Sequence, residues 1–573
     1  MSFDQYDELL GDSPSPAAAP PAGVTVPASA GGDRAMGAYE GADRRNSALA
    51  LWAPPLQSAD ADILPDKPVI DGRARDLLRN DAFVQGGASL HKDNIVGAHY
   101  LLNSRPASRL LFGKADETWE QEFQEEVEEQ WELYSDSADN WVDASRTNNF
   151  TSLVRLAVGI HLMGGEVLAT AEWVKDDGAP LSTAIQMIDL DRLSDPKDGS
   201  FPWWNSANQR AGVKYNRRGA PQSYFIRVAH PNDYGPIDFS LPTWKEVPIR
   251  RPWGRMQVIH LFEQLRPEQS RGVTELAAAL SATKTTHTWR ELTVQHAVAQ
   301  SLYAAAITSD LPGDMVAQML GAGNASPEAF EAAITAYAEG YLGSVASYVG
   351  SSKGLAIDGV RIPHLYPGTK LELLSTGNAG PLGQPFEQSL LRYIAAAIGV
   401  SYEQLSRDYT NTNYSSARAA MTETWKFMVS RKKLIADRFA TIVYRLWLEE
   451  AINKGIITSM PRGARASIYT GSRLNTTFDA ISRCEWVGAS RGQIDELKET
   501  QAAVLRINNG LSTAEDELAR LGKDWRKVYR QLKREMDMRE SLGLLFAASD
   551  PNTINALSAT PTDEGDAPKG EGK

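Results

Sequence analysis

The chain has 573 residues, a formal net charge of -13 and an ordinary composition, with 42% hydrophobic and 23% charged residues. This length can bury several hydrophobic cores, so we expect two to four folded units. The acidic total argues against a protein that grips nucleic acid with its whole surface, although it is compatible with passage of DNA through a channel. The single cysteine, Cys484, excludes a disulfide scaffold and a CxxC metal site.

The two ends of the sequence differ in composition from the rest. Residues 1–68 are dominated by Pro, Ala, Gly, Ser and Asp, and residues 549–573 are similarly poor in apolar side chains. Such segments cannot bury enough apolar surface to offset the entropy of ordering, so both are expected to be disordered. No apolar run approaches the roughly 18 residues of a membrane span, and the N-terminus lacks signal-peptide features. We therefore expect a soluble protein made in the cytosol.

The first part of the body is predicted to mix helices and strands. Helices are predicted over residues 71–90, 115–134 and 150–163, and alternating segments between 166 and 264 predict strands, which together indicate an α+β unit. The second helix carries large apolar residues at i, i+4 steps, which predicts a buried stripe and a solvated acidic face. That stripe consists of Trp119, Phe123, Val127 and Trp131.

The next part is predicted to be helical on both sides of an insertion. A helix follows Gly272 and runs to about residue 300, but its middle, SATKTTHTWRE, is unusually polar and threonine-rich. A helix with so sparse an apolar seam is expected to pack against a partner helix or other copies of the chain. The insertion, residues 301–384, contains two predicted short helices, near 314–321 and 327–342, and strand-like pieces VRIPHLY and KLELLST.

The most informative stretch comes after the insertion. An amphipathic helix over residues 386–398 ends at Gly399, and a one-turn helix follows with a capping box formed by Ser401 and Gln404. A loop rich in hydroxyl, amide and tyrosine groups separates it from a long basic helix over residues 415–454.

The last part of the body is predicted to be helical. Gly510 stands where a residue just past a helix end would, and Ser512 with Glu515 predicts a capping box for the next helix. A further helix is predicted to start at Asp524.

The sequence lacks the motifs of several common enzyme classes. No GxxxxGK[ST], HExxH or GxSxG motif is present. His287 and His296 share a predicted helix but are nine residues apart, unlike the i, i+4 pair that chelates zinc. Asp189 and Asp191 could in principle serve a nuclease or glycosidase, but their position beside turns favours a structural role. We predict no catalytic residue, cofactor or metal.

The loop over residues 407–416 has two interpretations. It could be a polar surface connection between helices, or a loop that projects into a lumen and touches passing phosphates without holding them. A sequence-specific DNA reader would instead present Arg or Asn from a defined helix, and no such motif is present. The residues predicted to make the transient contacts are Arg407, Tyr409, Asn411, Asn413 and Tyr414.

An ordered series of segments resembles the lambda-type family of tailed-phage portal proteins, the head-to-tail connectors. The series comprises RDLLRN with LHKDNIVGAHYLLNSRP, GGEVLATAEWV, RMQVIHLFEQLRPEQSRGV, FEQSLLRYIAAAIGVSYEQLSRDYTNTNYSSARAAM and IDELKETQAAVLRINNGLSTAEDELARLGKDW. It covers roughly residues 70–545. The resemblance implies an α+β, mainly α portal fold of wing, stem, clip and crown, assembled as a ring of generally twelve copies.

The resemblance also implies a division of the chain into regions. By order along the sequence, these are an N-terminal arm (1–68), wing (69–264), first stem helix region (265–300), clip (301–384), second stem helix with the short capped helix (385–406), tunnel loop (407–416), long wing helix with the following wing segment (417–489), crown (490–548) and tail (549–573).

The function implied by the resemblance is structural. A portal ring sits at one capsid vertex, forms the channel for DNA packaging and ejection, and docks the terminase large subunit and later the neck and tail proteins. The implied partners are the chain itself, the terminase, the major capsid protein and scaffold, the neck and tail proteins and non-specifically bound double-stranded DNA, with no membrane. The implied location is the virion, and the host cytoplasm during assembly. The alternatives are a structural adaptor that forms no ring, and a polymer-degrading hydrolase.

Overall fold

The computed structural model describes residues 51–175, 178–196, 208–230, 243–303, 339, 355–357, 360–362, 384–410, 412–460, 476–492 and 496–543. Several predictions fall outside these ranges: most of the N-terminal arm, the two short helices and the KLELLST strand of the insertion, and the C-terminal tail. Side chains of residues 296–303 are also outside the description.

The described part is α+β and mainly helical. The helices before the insertion are α1 (Ala59–Ile63), α2 (Lys67–Asn80), α3 (Ala82–Ile95), α4 (Ser108–Phe112), α5 (Glu117–Ser135), α6 (Phe150–Gly164) and α7 (Leu280–Tyr303). The helices after it are α8 (Gln384–Ala397), α9 (Tyr402–Ser406), α10 (Tyr414–Arg431), α11 (Asp437–Lys454), α12 (Thr476–Ile481), α13 (Glu496–Asn508), α14 (Ala514–Arg520) and α15 (Trp525–Ser541). No helix in these described ranges is long and apolar enough to cross a membrane.

The expectation that residues 1–68 are disordered is wrong for the end of that segment, because α1 is helical there and the buried Asp60 accepts hydrogen bonds from the N–H and the hydroxyl of Ser270. Most of the predicted helices are present, with two further corrections. The single helix predicted over residues 71–90 is wrong, because Asp81 adopts an extended backbone and its carboxylate caps α3 through the N–H groups of Phe83 and Val84. The capping box predicted at Ser512 and Glu515 is also wrong, since the box lies one residue later. Its members are Thr513 and Asp516.

The strands form small antiparallel sheets. They are β1 (Leu101–Ser104), β2 (Glu166–Trp173), β3 (Thr183–Met187), β4 (Gln209–Arg210), β5 (Val213–Tyr215), β6 (Pro221–Arg227), β7 (Trp244–Pro248), β8 (Val258–Phe262), β9 (Leu355–Ile357), β10 (Val360–Ile362) and β11 (Cys484–Val487). The orders are β3-β2-β8, β4-β5-β6-β7, β10-β9 and β1-β11. The last pair joins segments almost 400 positions apart, with Leu101 opposite Val487, and sequence patterning alone did not reveal it.

The long basic helix is continuous but contains one irregular turn. Residues Lys432–Ala436 form a π-helical turn between α10 and α11. The two halves differ in environment, because α10 is largely exposed whereas α11 is deeply buried. Gly455 ends α11 in the left-handed conformation, with a φ of +73°.

The main core is built around α11 and an aromatic cluster. Trp131 of α5 lies edge-on to Phe150, Tyr444 and Trp447, with ring centroids 4.9, 5.8 and 5.2 Å away. Trp486 of β11 stacks on Tyr100 at 5.6 Å. The predicted apolar stripe of α5 is therefore confirmed as core, since Phe123 and Val127 are fully buried.

Candidate functional site

The polar loop is introduced by two local signals that the sequence predicted correctly. Gly399 ends α8 with a φ of +69°, and a Cβ at this position would lie 2.4 Å from the ring of Phe427, so only glycine fits there. The capping box of α9 is formed as predicted, with the Ser401 hydroxyl accepting from the Gln404 N–H at 3.3 Å.

The loop itself begins in an uncommon backbone conformation. Arg407 has a φ of +56°, which places its backbone in a left-handed region that residues other than Gly, Asn and Asp rarely adopt. The next residue, Asp408, accepts hydrogen bonds from the hydroxyl and the N–H of Thr410 at 2.6 and 3.1 Å. These bonds, the hydroxyl bond first, lower the pKa of the Asp408 carboxyl. One exposed cation therefore stands next to one carboxylate.

Three of the five predicted contact residues can be placed with their side chains. Arg407 and Tyr409 are exposed, Tyr409 by 53%. Asn413 is the N-cap of α10, where its Oδ1 accepts from the Ser416 N–H at 2.8 Å and its own N–H donates to the Ser416 hydroxyl at 3.1 Å. Its amide oxygen is therefore occupied by the helix end.

The other two predicted residues are only partly described. Asn411 lies outside the described residues. Tyr414 is the first residue of α10, so the loop proper ends at Asn413, although the side chain of Tyr414 is outside the description.

The exposed face of α10 continues from the loop. The sequence analysis did not predict it as part of the site. This face borders a shallow depression of about 670 Å³. Its two cations recur at a helical spacing, which is the signal that could have found them. The lining residues are Ser415, Arg418, Ala419, Thr422, Glu423 and Lys426.

The adjacent basic residues at the end of α10 serve mostly internal contacts. Arg431 forms ion pairs with Glu263 and, at 2.8 Å, with Glu275. Lys432 donates to Asp437 and to the main-chain carbonyl of Trp486, both at 2.8 Å. These two charges hold the long helix to the body and are not available as a basic patch.

The helices on either side of the insertion pack against each other. Arg290 of α7 donates to Glu387 of α8 at 2.7 Å, and the rings of Trp289 and Phe386 lie 6.2 Å apart. The threonine-rich middle of α7 is satisfied locally, because its hydroxyls donate to the carbonyl four residues earlier. The threonines that do so are Thr283, Thr285, Thr286, Thr288 and Thr293.

A buried ion network fixes the point from which α7 departs. Glu166, fully buried at the start of β2, accepts from Arg271 at 2.8 Å and lies 3.4 Å from the amine of Lys67 and 3.0 Å from His260. The Gly272 N–H donates to the same carboxylate at 2.9 Å. Burial would raise the pKa of Glu166, but the neighbouring cations outweigh it and hold the pKa well below its usual range.

Two glycines meet beside this network. A Cβ on Gly165, whose φ is +76°, would lie 2.1 Å from the carbonyl carbon of Val273, and one on Gly272 would lie 2.1 Å from the Gly165 oxygen. The chain leading to α7 therefore crosses the end of α6 backbone against backbone. The sequence predicts Gly165 only as the end of a helix, and neither this crossing nor the network is visible in it.

The acidic pair considered for catalysis is engaged with an arginine. Asp189, Asp191 and His230 lie close enough to form a three-ligand cluster. Arg75, however, forms a two-pronged ion pair with Asp191, one arm at 2.6 Å, and lies 3.6 Å from Asp189. The hydrogen bond from Arg75 lowers the pKa of Asp191. A cation therefore already occupies the place between the carboxylates, which supports the structural interpretation.

The loop and the exposed face of α10 present polar and basic side chains on the surface of the described part of the chain. Residues 45–432 match the family model for phage portal proteins of the lambda family. The chain is 35% identical to the portal protein of Escherichia phage N15 over 494 residues, covering 86% of this chain and 88% of that protein. It is 34% identical to portal protein B of Escherichia phage lambda, covering 87% and 88%. The chain belongs to the lambda family of phage portal proteins.

A solved structure, the neck of a native gene transfer agent particle computed with C12 symmetry, matches with a TM-score of 0.33 and 12% identity over 80% of this chain and 99% of that chain. The neck of the empty particle, computed with C6 symmetry, matches with a TM-score of 0.34 and 13% identity over 78% and 93%.

Proposed function

We propose that the chain forms a closed ring, a dodecamer, at one capsid vertex, and that this ring is the channel for DNA packaging and ejection. The observation that carries the proposal is the match to the lambda portal family over residues 45–432, together with relatives that align along most of this chain. The proposed partners are the terminase large subunit, the major capsid protein and scaffold, and later the neck and tail proteins. The proposed locations are the virion and, during assembly, the host cytoplasm.

The region assignments implied by the resemblance are part of the proposal. The packing of α7 against α8 supports a paired stem on either side of the clip at 301–384, because Arg290 and Glu387 hold the two helices together. Leu292 and Val294 of α7 are exposed by 58% and 63%, and such apolar side chains fit a surface that adjacent subunits cover in a ring.

Assembly is the first test of this function. Purified protein should form closed rings with a central hole in end-on electron micrographs, and native mass measurement should give twelve copies. A folded chain that remains monomeric or dimeric at micromolar concentration would support the adaptor alternative and overturn the ring.

The channel assignment concerns the loop at 407–416. Arg407 and Tyr409 are the exposed members, and we add Arg418 and Lys426 because they continue from the loop along one face of α10. The other proposed contacts are Asn411, Asn413 and Tyr414. Neutral polar groups with few cations give weak phosphate contacts that many subunits can share, and such contacts are sensitive to salt.

The test should spare Asn413, because its substitution would also remove the cap of α10. Arg407→Asn keeps a residue that tolerates the left-handed conformation, and combining it with Arg418→Gln and Lys426→Gln removes three charges per subunit. Rings should still form, but DNA translocation or retention should change, most clearly at low ionic strength. Arg407→Lys is the charge-preserving control. Packaging and retention equal to wild type at every salt concentration would reduce the loop to a surface connection.

The clip assignment has a separate test. Deleting residues 301–384 and joining α7 to α8 through a short linker should leave the wing folded and abolish docking of the terminase large subunit. The motor activity should reside in that separate protein, because the chain has no phosphate-binding loop. Docking that survives the deletion would show that the region is assigned incorrectly.

A further inference from the structure

A groove on the side of α11 has no role in the proposed channel. Its volume is about 530 Å³, within the range of sites that take small ligands or a few peptide side chains. It lies between the turn that precedes β8, the start and middle of α11, and α12. Its apolar part is formed by Met256, Ile442, Leu446 and Phe478.

The rim of the groove carries more positive than negative charge. Its cations are Arg250, Lys433, Arg438 and Arg445, and its carboxylates are Asp437 and Asp479. Both carboxylates are already engaged inside the subunit. Asp437 accepts from the Tyr100 hydroxyl at 2.5 Å and from Lys432 at 2.8 Å, and Asp479 accepts from Arg445 at 2.6 Å.

Three of the four cations remain open to an external anion. Arg250 donates to the main-chain carbonyl of Gly254 at 3.0 Å and forms no ion pair with any residue that the structure describes. The side chain of Lys433 is 80% exposed, and its amine lies 3.7 Å from the already occupied Asp437. Arg438 is exposed and forms no ion pair within the described part of the chain. An occupant should therefore be anionic.

The apolar part of the groove distinguishes between anionic occupants. A nucleic-acid backbone would satisfy the cations but would leave Met256 and Ile442 uncovered. An acidic peptide with aromatic or aliphatic side chains satisfies both parts, because the apolar side chains fill the groove while the carboxylates meet the rim.

The chain itself contains such a peptide near its start. The sequence FDQYDELLGD, residues 3–12, contains four carboxylates, and no lysine or arginine occurs before Arg34. Its large apolar residues, Phe3, Tyr6, Leu9 and Leu10, recur at intervals near three, the spacing of amphipathic docking segments. Residues 13–50 follow it and can span at most about 130 Å when fully extended.

We propose that residues 3–12 dock in the groove formed by the turn before β8, α11 and α12, in the same copy of the chain or in a neighbouring one. The carboxylates of the segment face Arg250, Lys433 and Arg438, and its apolar side chains cover Met256 and Ile442. This contact would tether the N-terminal segment to the folded body. It does not depend on the channel assignment, so its failure would leave the proposed function untouched.

The test uses a chain that lacks residues 1–14 and a fluorescent synthetic peptide of residues 1–14. Fluorescence anisotropy should show saturable binding that weakens as salt rises. The double variant Lys433→Glu with Arg438→Glu should weaken binding by about tenfold or more, since both attractions become repulsions. Arg217→Glu, an exposed arginine on the turn between β5 and β6, is the matched control and should bind like the parent.

Two further measurements make the result specific. A peptide with its four carboxylates converted to amides should not bind, and a peptide with Asp7→Lys and Glu8→Lys should regain affinity for the double variant. Lys433→Gln with Arg438→Gln is a milder pair, to be used if the double reversal does not fold. Three results would each overturn the proposal: no binding of the native peptide, equal binding by the groove variant and the control, or capture of a DNA duplex by the groove in place of the peptide.

Discussion

The body of the molecule and its C-terminal helices, residues 496–543, are stabilised in different ways. In the body, α11 is surrounded by core residues, and Trp131, Tyr444 and Trp447 are almost completely buried. In the C-terminal region, α13 and α15 contain no buried residue at all. Exposed apolar side chains occur throughout this region, including Leu497, Leu505, Leu511, Leu532 and Met536.

The C-terminal helices are attached to the body mainly by surface charges. Lys527 pairs with Glu132 at 2.6 Å, and Arg530 pairs with Glu125 and Glu129 at 3.0 and 3.1 Å. Exposed ion pairs of this kind each contribute about 0–1 kcal/mol. The body is therefore held together by buried apolar contacts, whereas the C-terminal region presents exposed apolar surface of the kind that suits further association.

The largest expected effect is the loss of the buried carboxylate in the body. Glu166→Gln removes the negative charge that Arg271 and Lys67 share, and breaking a buried pair in this way costs about 3–5 kcal/mol. The melting temperature should fall strongly. Glu122→Gln, on the exposed face of α5, is the control and should change little. A melting temperature unchanged by Glu166→Gln would mean that the network does not stabilise the body.

One glycine in each region allows a direct comparison of how closely the backbone is packed there. Gly165 and Gly510 both have positive φ, +76° and +67°, but a Cβ on Gly165 would strike Val273 whereas one on Gly510 would meet nothing within 4 Å. Gly510→Ala should lower the free energy of unfolding by about 1 kcal/mol, because of the backbone conformation alone. Gly165→Ala should lower it by about 3 kcal/mol, because the new Cβ would also clash. Thermal unfolding of both variants checks this order. Equal losses would contradict the close crossing at Gly165.

The pH dependence of stability should come partly from the body. Burial raises the pKa of Glu275 to about 7, despite the guanidinium of Arg431. The stabilising contribution of the protonated carboxyl is fully present below about pH 4.5 and is lost as the pH rises through 7. The loss amounts to at most about 3 kcal/mol.

The corresponding variant is Glu275→Gln, which should shrink the fall in melting temperature between pH 5 and pH 8. Glu128→Gln, in α5 beneath α15, should act in the same direction, because burial raises its pKa to about 7 as well. If the Glu275 variant keeps the full pH dependence of wild type, its carboxyl is not the titrating group.

The smallest expected effect lies in the C-terminal region. Thr513→Ala removes the cap of α14 and should cost about 1 kcal/mol, confined to that region. Hydrogen exchange should accelerate in α14 while the body remains protected. Ser512→Ala is the comparison and should have less effect, because Ser512 is not the cap. Faster exchange throughout the body would show that the two regions unfold as one unit.

Features of the fold whose determining residues are close together in the chain were predictable from the sequence. The cap at Ser401, the end of α8 at Gly399 and the apolar stripe of α5 each depend on a few neighbouring positions. The cap at Thr513 was misplaced by one residue because two adjacent hydroxyls fit the same pattern.

The remaining features depend on residues that are far apart in the chain. Lys67, Glu166 and Arg271 are separated by about a hundred positions each, and no periodicity marks such a network. The contact role of the loop residues stays a prediction. Arg407 and Tyr409 are exposed, whereas the use of Asn413 as a helix cap became visible only in three dimensions.

The π-helical turn at Lys432–Ala436 sets the angular relation between the exposed and the buried half of the long helix. A π turn contains one residue more than an α turn, and one residue corresponds to about 100° around a helix axis. Because of this extra residue, the side chains of α11 lie about 100° around the axis from where an uninterrupted α-helix continuing α10 would place them. Removing a single residue from this turn would rotate Arg418 and Lys426 by about 100° relative to the core.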